Sequence, residues 1–144
     1  MRALLDVNML IALFQPDHVQ HQRAHHWWEN NQSSGWATCP ITENGFVRIL
    51  SQPKYPLPQT VASAIKLLTM AKNATDHAFW PDSVSLLDQN SFHTEAFTHH
   101  GQITDSYLLA LAFKNNGRLV SFDQGFKPFT VIGVKSNHLH IIGV

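Results

Sequence analysis

One cysteine in 144 residues, Cys39, excludes an internal disulfide and is consistent with a reducing compartment, where a lone thiol packs as a small apolar side chain. Charge is also sparse: Asp, Glu, Lys and Arg make up 14% of the chain, and the ten acids balance the ten bases. A neutral chain with a pI near 7.2 is not one that coats nucleic acid nonspecifically, although a selective nucleic-acid enzyme remains compatible with it. No apolar run is long enough to span a bilayer, and Asp6 and Asn8 interrupt the only apolar stretch at the N-terminus, so neither a membrane span nor a signal peptide is expected. The expected setting is the cytoplasm. What the chain does have is 44% hydrophobic residues, enough at this length to bury a core without metal or disulfide. Residues 1–144 read as one domain without internal repeats.

The apolar pattern alternates short runs with helical periodicity. Residues 2 to 6 predict a buried strand, and Asn8 is placed to cap a short helix through Phe14. A second helix is expected from about Val19 to Asn31, and Gln32 to Gly35 is a turn. Trp36 to Cys39 reads as a strand, and Pro40 suits the first position of a helix whose apolar face is Phe46, Val47, Ile49 and Leu50. Pro53, Pro56 and Pro58 impose a loop before a helix carrying Val61, Ala64, Ile65, Leu67 and Leu68. A strand near His77 to Trp80 and a helix around Phe92 to Thr98 follow. A further helix begins at Asp105 and stops at Asn115-Asn116-Gly117, and strands are expected at Arg118 to Phe122 and Leu139 to Ile142. Strands separated by helices predict an α/β fold with a mostly parallel sheet covered on both faces.

Four acids fall at junctions of this pattern: Asp6, Glu43, Asp105 and Asp123. Strand ends of open α/β sheets line a common crevice, so these four are candidate neighbours. Two carboxylates about 5 Å apart repel by roughly 3 kcal/mol at an effective dielectric of about 20, and a cluster multiplies that cost. Helix dipoles offset only about 0.3 to 1 kcal/mol each. A divalent cation offsets far more, and an oxygen-only donor set suits Mg²⁺ or Mn²⁺ better than zinc. Such a site is built for phosphate chemistry.

The segments Leu4-Leu5-Asp6-Val7-Asn8, Asp17-His18 through His25-His26-Trp27, Ile41 to Arg48, Ile103 to Leu108 and Ser121 to Phe126, in this order and spacing, resemble the PIN-domain ribonucleases, close to the VapC toxins of bacterial toxin-antitoxin modules. The resemblance implies a three-layer α/β/α sandwich. It also implies an RNA hydrolase using a Mg²⁺- or Mn²⁺-activated water, inhibition by a cognate antitoxin, and a homodimer. Matched residue by residue, Asp6, Glu43, Asp105 and Asp123 correspond to the family's acidic metal site, and Asn8 and Ser121 to polar positions that orient ligands or water. RNA rather than DNA rests on the resemblance alone.

Other residues carry two readings. Arg48, on the same expected helix as Glu43, is placed to touch a substrate phosphate or to pair with a site carboxylate, and Lys54, Lys114, Arg118 and Lys127 are the other cations available to a substrate. His18, His21 and His25 share a helical face that a transition metal could use, against a solvated or packed helix edge. Trp27 and Trp28 are aromatic platforms for bases or core residues. Asp17, Asp82 and Asp88 read as turn or cap residues. Two other functions fit the acids. One is a haloacid-dehalogenase-type phosphatase with Asp6 as nucleophile, weakened because Asn8 stands where a second Asp is wanted. The other is a noncatalytic receiver or RNA-binding module holding a structural cation.

Overall fold

A computed structural model describes residues 1–143. Five strands form one wholly parallel sheet: β1 (Ala3–Leu5), β2 (Trp36–Thr38), β3 (His77–Phe79), β4 (Arg118–Ser121) and β5 (Leu139–Ile141). Their spatial order is β3-β2-β1-β4-β5. The helices are α1 (Val7–Phe14), α2 (His21–Asn31), α3 (Pro40–Leu50), α4 (Val61–Ala74) and α5 (Ile103–Lys114). They cover both faces of the sheet, which gives the expected three-layer α/β/α sandwich.

The strand period of two sorts the core. Ala3, Leu5, Trp36 and Val120 point to one face, where they pack with Met9, Leu10, Phe46, Leu50, Ala64 and Leu68 of α1, α3 and α4. Leu4, Ala37 and Leu119 point to the other, against Leu108, Leu109 and Leu111 of α5. Every residue of β1 is buried, as a strand covered on two sides requires. In α5 the seven residues Ser106 to Ala112 are all buried, because the segment that carries Phe92 and Val131 closes over its outer side.

Close packing places the elements that carry the acids. Gly45 lies inside α3, and a Cβ there would stand 2.7 Å from Val7 Cγ2, so the glycine lets α3 approach the start of α1. Asn116 adopts φ +56 after α5 and turns the chain into β4, matching the expected stop at Asn115-Asn116-Gly117.

Two local expectations are corrected. The cap of α1 is Asp6 rather than Asn8: the Asp6 carboxylate accepts the Asn8 backbone N–H at 2.8 Å. The helix expected from Phe92 to Thr98 shrinks to a single 3₁₀ turn, Thr94–Ala96, because Phe92 is drawn into an antiparallel bridge with Val131 and its ring is buried. Elsewhere the ends shift by a residue or two. α2 starts at His21, and Cys39 caps α3 instead of closing β2.

Candidate active site

The chain runs β1, β2, β3 toward one edge of the sheet and then β4, β5 toward the other, so the order reverses between β1 and β4. At such a switch point the connections leaving adjacent strands diverge and open a crevice at their carboxyl ends. Asp6 follows β1, and Ser121 ends β4 with Asp123 two residues on. The backbone stitches the two strand ends together through the Asp6 N–H, which donates to Val120 O at 3.1 Å.

Ser121 is the link between the acids. Its buried hydroxyl donates to Asp6 Oδ2 at 2.6 Å and accepts the Asp123 backbone N–H at 3.0 Å. The Asp6 carboxylate is thereby held at both oxygens, by Ser121 and by the Asn8 N–H. Burial raises its pKa above the usual carboxylate value; the bonds from Ser121 and Asn8 oppose that rise, and the charge of Asp123 adds to it. Asp123 itself is exposed, its Oδ1 accepting the Gly125 N–H at 2.9 Å.

Asp105 reaches the same place from the first turn of α5. A buried bond of 2.6 Å between Ser106 Oγ and Thr130 Oγ1 fixes that turn against the segment following β4. The pKa of the Asp105 carboxyl is pushed up to about 7, by burial first, then by the neighbouring Asp123 carboxyl and the charge of Asp6. A raised carboxyl pKa is what burial beside like charges produces. Among the described residues the ion pairs are Arg2–Asp76 and His25–Glu29, and none of the four candidate acids takes part in one. Asp105 and Asp123 line a cavity of about 190 Å³ with His99, Gln102, Phe126 and Lys127.

Glu43 stands apart. It is half-buried in the first turn of α3, its Oε2 accepts from Thr38 Oγ1 at 2.7 Å, and it faces a separate cavity of about 180 Å³ with Val47, Leu68, Lys72 and His77. It is not among the charges that shift Asp6 or Asp105. The structure thus brings three of the four acids into mutual electrostatic contact and leaves the fourth on α3, bonded to the end of β2. Among the described residues, no three His, Cys, Asp or Glu side chains converge closely enough to enclose an ion in this conformation. The donor chemistry nevertheless fits a hard divalent cation: the grouped donors are all carboxylate oxygens, and among the described residues none of them is taken up in an ion pair.

The other candidates fall as follows. The Asn8 side chain is exposed, and its contribution to the site is its backbone N–H. Arg48 is exposed near the end of α3 and pairs with none of the acids. His18 accepts the Gln20 N–H, His21 Nδ1 bonds to Ala12 O and His25 faces Glu29, so the three imidazoles hold local contacts. Trp27 is buried and Trp28 packs edge-on against Trp36, which makes both core residues. Asp88 closes a turn through Asn90 and Ser91. Lys127, one of the cations expected to be available to a substrate, lines the cavity of Asp105 and Asp123, whereas Thr38 and His77 are additions of the structure. Strand alternation gives a usable signal for Thr38, which shares its face with Trp36; His77 gives none, because its position depends on a β2–β3 pairing that joins distant residues, Trp36 with His77.

A PIN-domain model matches residues 3–130 of the chain. The chain belongs to the PIN-domain family. Among curated relatives, the ribonuclease VapC44 of Mycobacterium tuberculosis strain H37Rv is 49% identical over 139 residues, covering 96% of this chain and 98% of that protein. Ribonuclease VapC39 of the same strain is 46% identical over 124 residues, covering 85% of this chain and 89% of the relative. Ribonuclease VapC38 is 42% identical over 124 residues, covering 85% and 86%.

Proposed function

We propose that the chain is an endoribonuclease toxin of the VapC type, dependent on Mg²⁺ or Mn²⁺ and restrained by a cognate antitoxin. The observation that carries this reading is the group of carboxylates Asp6, Asp105 and Asp123 at the β1/β4 switch point of a PIN fold, with Asp6 buried and none of the three in an ion pair among the described residues. Near-full-length similarity to three proteins named ribonucleases supports RNA as the substrate.

In this reading Asp6, Asp105 and Asp123 hold the cation, with Glu43 as a fourth acid recruited from α3. When bound, such a cation neutralises the substrate phosphate, lowers the pKa of water and stabilises charge on the transition state. The protein's own part is positional. Ser121 and the Asn8 N–H fix both Asp6 oxygens, so this carboxylate needs no reorganisation on loading. Asp105, with its pKa raised to about 7, would have to give up its proton to hold a cation, which would make loading easier at higher pH. Lys127 on the cavity wall and the exposed Arg48 supply positive charge to the phosphates flanking the scissile one. An antitoxin would satisfy the same carboxylates with an Arg or Lys while its apolar residues fill an adjoining groove. A homodimer is part of the same proposal.

The test is incubation of total RNA with the purified protein in Mg²⁺, Mn²⁺ or EDTA, with cleavage ends mapped by sequencing. Discrete ends that vanish in EDTA are expected. Intact RNA under every condition would remove the proposal. Co-expression with the product of the adjacent reading frame, followed by size-exclusion chromatography, checks for the antitoxin complex and for the mass of a dimer.

A further inference from the structure

The Glu43 carboxylate is anchored at one oxygen only. Oε2 accepts from Thr38 Oγ1 at 2.7 Å, and Oε1 has no hydrogen-bond partner among the described residues. Thr38 is fully buried at the end of β2, and its hydroxyl also lies 2.8 Å from His77 Nε2 on β3. A hydroxyl carries one proton, and an ionised carboxylate can only accept. The Thr38 proton therefore points to Glu43, and His77 must present Nε2–H to the Thr38 oxygen. The geometry allows one direction of donation: His77 to Thr38 to Glu43.

The far end of this chain is held as firmly. The β2–β3 register sets His77 beside Trp36, whose ring meets the imidazole edge-on with centroids 4.6 Å apart. The Trp36 indole N–H donates to Thr75 Oγ1 at 2.8 Å, so the ring that braces His77 is itself fixed. A carboxylate on a helix surface ordinarily samples several rotamers, and each fixed partner removes some of that freedom. Here three elements, β2, β3 and α3, converge to remove it from a single acid while leaving its second oxygen open.

We propose that Thr38 and His77 are positioning residues for Glu43, restricting its carboxylate to one orientation with Oε1 free, so that loss of either partner weakens what Glu43 contributes to the cation held by the aspartates. The inference rests on the preceding functional reading, and it assigns to Thr38 and His77 a role that acts only through Glu43. Residues that order a ligating carboxylate in this way change cation affinity or activity by about 10- to 100-fold when removed.

The experiment compares Thr38→Val, Thr38→Ser, His77→Phe and Glu43→Gln with the wild type by three readouts. The first is the His77 tautomer from long-range ¹H–¹⁵N NMR, which needs neither cation nor RNA. The others are the Mn²⁺ dissociation constant by EPR, and kcat and KM on a cleaved RNA. Wild-type His77 is expected as the Nε2–H tautomer, giving way to a mixture in Thr38→Val. In Thr38→Val and His77→Phe, Mn²⁺ affinity and kcat are expected to fall about 10-fold or more with KM for RNA little changed, and Thr38→Ser is expected to restore all three. Full Mn²⁺ affinity and kcat in folded Thr38→Val or His77→Phe, with both lost in Glu43→Gln, would overturn the proposal. So would a wild-type His77 protonated at Nδ1 alone. If Thr38→Val fails to fold, His77→Phe carries the comparison. Wild-type protein that binds Mn²⁺ but cuts no RNA would strike the functional reading instead, and the tautomer and affinity data would still decide the positioning role.

Discussion

Replacing Asp105 by Asn should stabilise the cation-free protein at alkaline pH while abolishing its chemistry. The Asp105 pKa is raised from 3.8 to about 7 in the fold, so between those values the folded state holds a proton that the unfolded state has released. Stability then falls as pH rises through that window, and the loss is complete above pH 7. A shift of about three units corresponds to a ceiling of roughly 4 kcal/mol at about 1.4 kcal/mol per unit. Asp105 is half-exposed, and solvent screening reduces that to about 1 to 2 kcal/mol. An Asn amide keeps a donor toward Asp123 and carries no charge to titrate. The expected result is a Tm raised by about 3 to 8 °C at pH 8 in EDTA, with a much smaller difference at pH 4.5, read by circular dichroism melting of both proteins. An Asn variant that melts lower than wild type at pH 8, or that differs equally at both pH values, would show that charge repulsion is not what burdens this site.

Three further outcomes follow from the same geometry. Ser121→Ala removes the donor to Asp6 Oδ2 and the acceptor of the Asp123 N–H, and should cost about 1 to 3 kcal/mol in urea denaturation together with a large loss of RNA cleavage. Gly45→Ala puts a methyl 2.7 Å from Val7 Cγ2 and should destabilise by about 1 to 3 kcal/mol, with Val7→Ala in the same chain recovering part of it; an additive double variant would refute the contact. Cys39 is buried and its thiol pKa is raised by burial, so a maleimide reagent should label it only as the protein unfolds, and rapid labelling of native protein would contradict that placement.

How much of this was legible in the sequence depends on the range of the forces involved. The strands Ala3–Leu5 and Arg118–Ser121 and the helix begun by Pro40 follow from apolar runs and a single punctuating residue, which are local signals. Asn8 is a cap residue by type, but so is Asp6, and the structure uses Asp6, the same residue that the crevice needs. Phe92 to Thr98 has helical spacing, yet a bridge to Val131 thirty-nine residues away outweighs it. The grouping of Asp6, Asp105 and Asp123 was inferred from strand-end positions and is present in the fold. The separation of Glu43 was not legible, because it is set by Thr38 and by a β2–β3 pairing that brings His77 to the same hydroxyl.

The claim on which the account turns is that Asp6, Asp105 and Asp123 jointly hold a divalent cation. Titration of Mn²⁺ at pH 8, followed by EPR in the wild type, Asp6→Asn and Asp105→Asn, measures this without RNA or turnover. Saturable binding in the wild type that weakens by at least tenfold in each variant is the predicted result. Equal affinity in all three proteins, or no saturable binding in any, would contradict it.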